Sequence, residues 1–167
     1  MKILALIAPL FEEMELLYPV YRLREAKHTV HIVGEKTKTA YKGKNGYLVT
    51  SDLSFDEVKS TDYAGVVIPG GFAPDKLRRI PAVLSCVKEM DEAQKPIGFI
   101  CHGGWVPISA KILKGKRATG TTAIKDDLEN AGAIWEDTPI VIDGHLISSR
   151  TPHDLPDFGR ALVEAFS

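Results

Sequence analysis

Short, nearly continuous apolar runs punctuate the chain at residues 2–8, 30–33, 66–68 and 97–100. Runs of this length without polar alternation mark parallel strands buried on both faces. Between them, residues 13–26, 82–93 and 104–113 place apolar side chains at helical spacing. Strand and helix therefore alternate, and the pattern predicts an α/β fold: a flavodoxin-like, doubly wound, mainly parallel sheet between helices.

Two stretches depart from this rhythm. Residues 37–51 are β-prone around Lys42-Gly43-Lys44-Asn45-Gly46, which predicts a hairpin at the sheet edge with a structural role. Beyond residue 101 the pattern predicts a short strand near Arg117, a helix over 123–131, a ribbon through 140–141 and 146–147 turned by Asp143-Gly144, and a last helix after Pro152. No internal repeat, low-complexity tract or linker divides the chain, so residues 1–167 are expected to form one domain.

Composition narrows the function. With 44% hydrophobic and 26% charged residues and a formal net charge of −1, the chain has no field to attract nucleic acid or anionic lipid. The first apolar stretch, residues 3–10, is too short to span a membrane and lacks a small-residue cleavage site. A cytoplasmic protein is expected. Its two cysteines, Cys86 and Cys101, show neither zinc-ligand spacing nor a disulfide framework, and no GxGxxG follows the first strand. The chain is expected to need neither metal nor cofactor.

Candidate chemistry concentrates at Cys101. The run Ile97-Gly98-Phe99-Ile100 passes straight into Cys101-His102-Gly103-Gly104, after which Trp105, Ile108, Ile112 and Leu113 recur at helical spacing. An abrupt strand-to-helix turn exposes a side chain at the carboxyl end of a parallel sheet. There the unpaired N–H groups and the macrodipole favour thiolate and offer an oxyanion site. The competing reading is a small buried hydrophobe, which cysteine often is. Cys86, on a helix with Val83, Leu84, Val87 and Met90, reads as packing.

Three residues are candidate partners. His102 adjoins the nucleophile, but adjacent side chains diverge at such a turn, so it requires an orienter. A second glycine loop, Pro69-Gly70-Gly71-Phe72-Ala73-Pro74-Asp75, follows the strand ending at Ile68. Gly70 and Gly71 could turn N–H groups toward the sulfur, and Asp75 could orient His102 or cap the next helix. In the first loop, Glu12 and Glu13 read as helix-start acids. Glu15, four residues before Pro19, is expected where the helix is irregular; buried near a thiolate it would be driven to its protonated form.

As a set these loops resemble the ThiJ/PfpI superfamily, and its intracellular protease I branch in particular. The residues that carry the likeness are Phe-Glu-Glu-Met-Glu at 11–15, Pro-Gly-Gly at 69–71, Ala-Pro-Asp at 73–75 and Ile-Cys-His-Gly at 100–103. Further landmarks are Ala-Ile-Lys-Asp-Asp-Leu at 123–128, Asn-Ala-Gly-Ala at 130–133 and Ser-Ser-Arg-Thr-Pro at 148–152. The resemblance implies a class I glutamine amidotransferase-like fold with Cys101 as nucleophile, Glu15 as the carboxyl touching it and His102 beside it. It implies backbone donors to an oxyanion around Gly70, Gly71, His102 and Gly103, and an assembly of at least two copies in which Asp75 reaches the neighbouring subunit's histidine. Two departures stand out: Trp105 follows Gly104 where several members carry a proline after Cys-His-Gly, and Thr121 stands where some carry a tyrosine. Asp126 and Asp127 read as solvent-facing or interface residues.

The leading expectation is a cofactor-free cysteine hydrolase or lyase acting on small carbonyl compounds or glycation adducts, with a stress-protective role. An ATP-independent peptidase uses the same thiol. A redox sensor that oxidises Cys101 would need neither His102 nor Asp75. A glutamine amidotransferase is disfavoured by the lack of a later His-x-Glu pair.

Overall fold

A computed structural model describes residues 1–167. In chain order the elements are β1 (Lys2–Leu6), α1 (Glu13–Glu25), β2 (Thr29–Gly34), β3 (Ala40–Lys42), β4 (Leu48–Thr50) and β5 (Leu53–Ser54). There follow β6 (Gly65–Ile68), α2 (Ala73–Leu77), α3 (Pro81–Glu92), β7 (Ile97–Ile100), α4 (Trp105–Ser109) and β8 (Arg117–Ala118). The chain closes with α5 (Lys125–Asn130), β9 (Ile134–Trp135), β10 (Ile140–Asp143), β11 (Leu146–Ser149) and α6 (Leu155–Ala165).

Seven strands form the main sheet in the order β10-β11-β7-β6-β1-β2-β5, parallel throughout except for the β10–β11 hairpin. The five central strands thus follow the 2-1-3-4-5 order of the flavodoxin-like winding, as the apolar runs predicted. Helices α1 and α6 pack together on one face, and α3 covers β6 and β7 on the other. The reason is visible in α6, where Leu155, Phe158, Ala161 and Leu162 are buried at three- and four-residue spacing while Arg160 and Glu164 face solvent. In β7, Ile97, Phe99 and Ile100 are wholly buried; each such side chain contributes about 1.5–3 kcal/mol.

Three expectations change. The hairpin of β3 and β4 is a separate two-stranded ribbon and not an edge of the main sheet, because the two-residue β5 occupies the position beside β2. The helix expected over 104–113 is shorter. It is a tight turn over Cys101–Gly104 followed by α4, and it ends where Lys111 adopts φ 60°. The Lys111 N–H donates to Ile108 and the Ile112 N–H to Pro107, a Schellman closure. Finally, α1 runs unbroken through Pro19; only one backbone donor is lost there, and the packing against α6 remains.

Candidate active site

Three loops leave the carboxyl ends of β1, β6 and β7, which are adjacent strands, and converge at the point where the strand order reverses. This is where open α/β sheets bind ligands. The β7 loop carries Cys101 in the left-handed region, φ 60°, the strained turn of a nucleophile elbow. The turn sits tight against β6: a Cβ on Gly103 would lie 2.7 Å from the Ile68 carbonyl oxygen. Cys101 and Cys86 are both free and partly buried.

The sulfur has three neighbours. The His102 backbone N–H lies close enough to favour its ionisation. Its imidazole Nδ1 lies 3.4 Å away, so the two adjacent side chains converge rather than diverge. The 3₁₀ geometry of residues 101–104 permits this, since a tight turn folds the ring back over the preceding residue. Glu15 is the third, with no exposed surface. Its Oε2 accepts the Gly70 N–H at 2.8 Å, and its Oε1 is buried with no partner. No hydrogen bond of ordinary geometry joins Glu15 to the sulfur, yet the two lie close enough to shift each other's titration.

Burial, and then the Glu12 carboxylate, push the Glu15 carboxyl up to about 8. At neutral pH it is therefore protonated, and Oε1 is the open position for the proton. Burial, and then a charged Glu15, push the Cys101 thiol up to about 12, against the His102 N–H and Lys44. The expectation of a dipole-stabilised thiolate in the free chain is corrected by this balance. The helix that should supply the dipole is only the five residues of α4 behind a tight turn, and burial outweighs it. Burial, followed by the charge of Lys44, holds His102 below its usual pKa, against the pull of Asp127. Its imidazole is thus neutral at pH 7 and available as a base. Thiol, neutral imidazole and neutral carboxylic acid thus lie side by side, with His102 Nδ1 within reach of the thiol proton.

The glycine loop divides its labour. Gly70 gives its N–H to Glu15 and so is not free for an oxyanion. A Cβ there would land on the Glu15 carboxyl and 2.9 Å from Cys101 Cβ. Gly71, at φ 73°, bridges to Phe11 through the bonds of its neighbours, and its own N–H makes no hydrogen bond within the chain. Gly103 serves close packing against β6 and does not point into the site.

Asp75 does not reach His102 within one chain, nor does it cap α2. Both its oxygens take the Arg79 guanidinium at 2.9 Å, one turn along. Thr121 approaches Cys101 through its backbone, its N–H 3.5 Å from the Cys101 carbonyl. Of the first-loop acids, Glu12 caps α1 by accepting the Glu15 N–H at 2.8 Å. Glu13 grips the β3–β4 turn, accepting from the Asn45 N–H at 2.8 Å, Asn45 Nδ2 at 2.9 Å and the Tyr47 N–H at 3.4 Å. Burial opposes ionisation of Glu13, but these bonds and its own backbone N–H hold its pKa below the usual range.

Two features escaped the sequence reading. Lys44, on the turn that Glu13 holds, brings its charge to bear on Glu15, Cys101 and His102 together. Its only signal was a lysine beside an Asn-Gly turn, ordinary for an exposed hairpin. Asp127 is exposed, as expected, but it also accepts the Trp105 indole N–H at 2.8 Å. A cleft of about 460 Å³ between Glu12, Glu13, Met14, Tyr18, Asn45 and Tyr47 adjoins these loops. The larger one of about 620 Å³, beside His145, lies at the opposite end of the strands. No cluster of three or more His, Cys, Asp or Glu side chains is arranged to hold a metal ion, and no helix is long and apolar enough to cross a membrane.

Comparison with known proteins places this geometry in context. The model of the DJ-1/PfpI family matches residues 1–165. The chain is 43% identical to Deglycase TK1284 of Thermococcus kodakarensis over 164 residues, covering 98% of both proteins. It is 40% identical to General stress protein 18 of Bacillus subtilis, again over 98% of both. Among solved structures, one is a two-domain protein from Anabaena variabilis with DJ-1/ThiJ/PfpI-like and ferritin-like domains. It superposes with a TM-score of 0.97 at 39% identity, covering 99% of this chain and 48% of that longer one.

Proposed function

The chain belongs to the DJ-1/PfpI family, and from that premise we propose that it is a cysteine hydrolase or lyase that acts on small carbonyl compounds or their adducts on proteins, in the service of stress protection. The observation that carries the reading is the 3.4 Å approach of His102 Nδ1 to the Cys101 sulfur beside a buried carboxyl. The names of its relatives, a deglycase and a general stress protein, agree with it.

In this reading Cys101 attacks the carbonyl carbon of the substrate as its thiol proton passes to His102 Nδ1, and a hemithioacetal forms. The carbonyl π pair becomes an alkoxide, which accepts the unused Gly71 N–H. Glu15, neutral, donates from Oε1 to the sulfur or the new oxygen. Asp75 completes the site from a second subunit, turning from Arg79 toward the partner's imidazole. The substrate class is a small aldehyde or its adduct, and the working unit is at least a dimer.

A matched assay separates the readings. Methylglyoxal and a fluorogenic peptide are offered to the wild type, Cys101→Ala and His102→Ala. Loss of methylglyoxal conversion in both variants is expected. Cleavage of the peptide without conversion of methylglyoxal would make the protein a peptidase. If neither substrate is turned over while dilute peroxide oxidises Cys101 selectively, the redox-sensor reading replaces both.

A further inference from the structure

His102 and Trp105 stand three residues apart at the start of the turn after β7, and a 3₁₀ turn brings positions i and i+3 onto one line. Their rings meet edge to face, with centroids 5.1 Å apart and planes inclined at 65°. The indole is itself held from two other elements. Its N–H donates to Asp127 Oδ2 on α5 at 2.8 Å. The Arg78 guanidinium, just past α2, lies 5.3 Å from its ring centre. Arg78 is fixed in turn by donating from Nε to Ser109 Oγ at 2.8 Å, and no carboxylate lies within ion-pair distance to draw it away.

His102, by contrast, has few holds. Nδ1 meets the sulfur, and Nε2 has no hydrogen-bond partner in the chain. The charged and titratable groups that act on it are Cys101 on its own turn, Lys44 from the hairpin and Asp127 from α5, with Arg78 behind the indole. None of these carboxylates or cations bonds to the ring. The rigid body in contact with it is Trp105.

We propose that Trp105 is a positioning residue for His102: its indole, tethered by Asp127 and stacked under Arg78, holds the imidazole with Nδ1 turned to the Cys101 sulfur. Within one chain it fills the orienting place that a carboxylate takes in a catalytic triad. An aromatic edge-to-face contact is directional, so it restricts the ring without accepting a proton from it. Asp127 acts at one remove, through the indole N–H by geometry and through space by charge. The inference rests on the reading of Cys101 and His102 as a thiol–imidazole pair.

The test joins a spectroscopic readout to a kinetic one. His102 ring-proton shifts and their pH titration are measured by NMR in the wild type, Trp105→Ala, Trp105→Phe and Asp127→Asn, alongside kcat and KM for methylglyoxal. In Trp105→Ala the ring-current displacement of the His102 protons disappears. Its kcat falls by about tenfold, the scale of one aromatic contact, with KM within about twofold. Trp105→Phe, which keeps a ring on His102 and guards against a misfolded alanine variant, retains part of both. Asp127→Asn still accepts the indole N–H but lacks the charge, so the ring shifts persist and the His102 midpoint moves to lower pH. Unchanged His102 ring shifts in folded Trp105→Ala, or a kcat equal to wild type there, would overturn the proposal. If the wild type turns over no substrate, the functional reading fails on its own. The rate of Cys101 alkylation by iodoacetamide then decides this one, upheld if it falls by about tenfold in Trp105→Ala and partly recovers in Trp105→Phe, and overturned if the three rates coincide.

Discussion

The Gly70 N–H donates to Glu15 Oε2 at 2.8 Å, so one carboxyl oxygen is committed to the backbone and the other, buried and unpartnered, is the seat of a proton. With its pKa pushed up to about 8, Glu15 is neutral in the folded protein through a range where the unfolded chain ionises it. The folded state binds the extra proton, so stability falls as pH rises from about 4.5 toward 8, with a slope of up to about 1.4 kcal/mol per pH unit from this one group.

Glu15→Gln removes that slope. Denaturant titrations from pH 5 to 9 are expected to show the variant gaining on the wild type up to about pH 8 and the difference levelling off above it. Alkylation of Cys101 by iodoacetamide gives a second check. Above pH 8 the wild-type carboxylate repels the forming thiolate, whereas the neutral amide of the variant does not, so the variant reacts faster there and the gap closes at lower pH. Superimposable rate profiles would remove the contact between the two side chains.

Lys44 lowers the pKa of Glu15, Cys101 and His102 alike. Lys44→Gln should therefore raise all three and move the alkaline limb of the activity profile to higher pH, with little change in stability because the side chain is exposed. An unmoved His102 titration in that variant would show that the lysine points away in solution.

Four helices, α1, α3, α4 and α5, close with the same pair of hydrogen bonds. The residue in the left-handed position is Lys27, Gln94, Lys111 and Gly132 respectively. Only the last is a glycine. Lys27→Gly, Gln94→Gly and Lys111→Gly should each stabilise the fold by about 0.5–1 kcal/mol, the strain relieved less the added freedom of the unfolded chain. Their effects should add, because they lie on different helices. Thermal melts of the single and triple variants check this; a loss at any site would mean that the side chain it removes contributes more than the strain it carries.

Cys101→Ala and Asp75→Ala, each inactive alone, should complement when their subunits are exchanged. A heterodimer holds one site with an intact cysteine facing an intact acid, and recovers up to about half the activity. Failure to recover despite confirmed exchange would leave Asp75 to Arg79 alone.

Much of this was legible in the chain. The apolar runs gave four of the parallel strands, β1, β2, β6 and β7, because burial on both faces leaves no polar alternation to misread, and the elbow at Cys101 showed itself through the glycines around it. What stayed hidden depends on local conformation or on distance along the chain. Lys111 ends α4 in a conformation its side chain does not advertise, and β5 is too short to register as the strand that displaces the hairpin from the edge. The partnership of Asp75 with Arg79 follows from ordinary one-turn spacing, but only the folded chain shows that it wins over capping. Lys44 and Asp127 looked like surface charges because they are exposed; their influence comes from what their neighbours bury.

The grip of Glu13 on the β3–β4 turn makes that ribbon a cassette. Its two ends enter and leave through β2 and β5, away from the elbow, while its tip alone meets the site. Exchanging Lys44 alone would therefore redraw the charge above the sulfur, while Gly43 and Asn45, against which Glu13 packs and bonds, keep the turn in place. Variation in this turn offers a route by which one scaffold acquires different preferences while its chemistry stays the same.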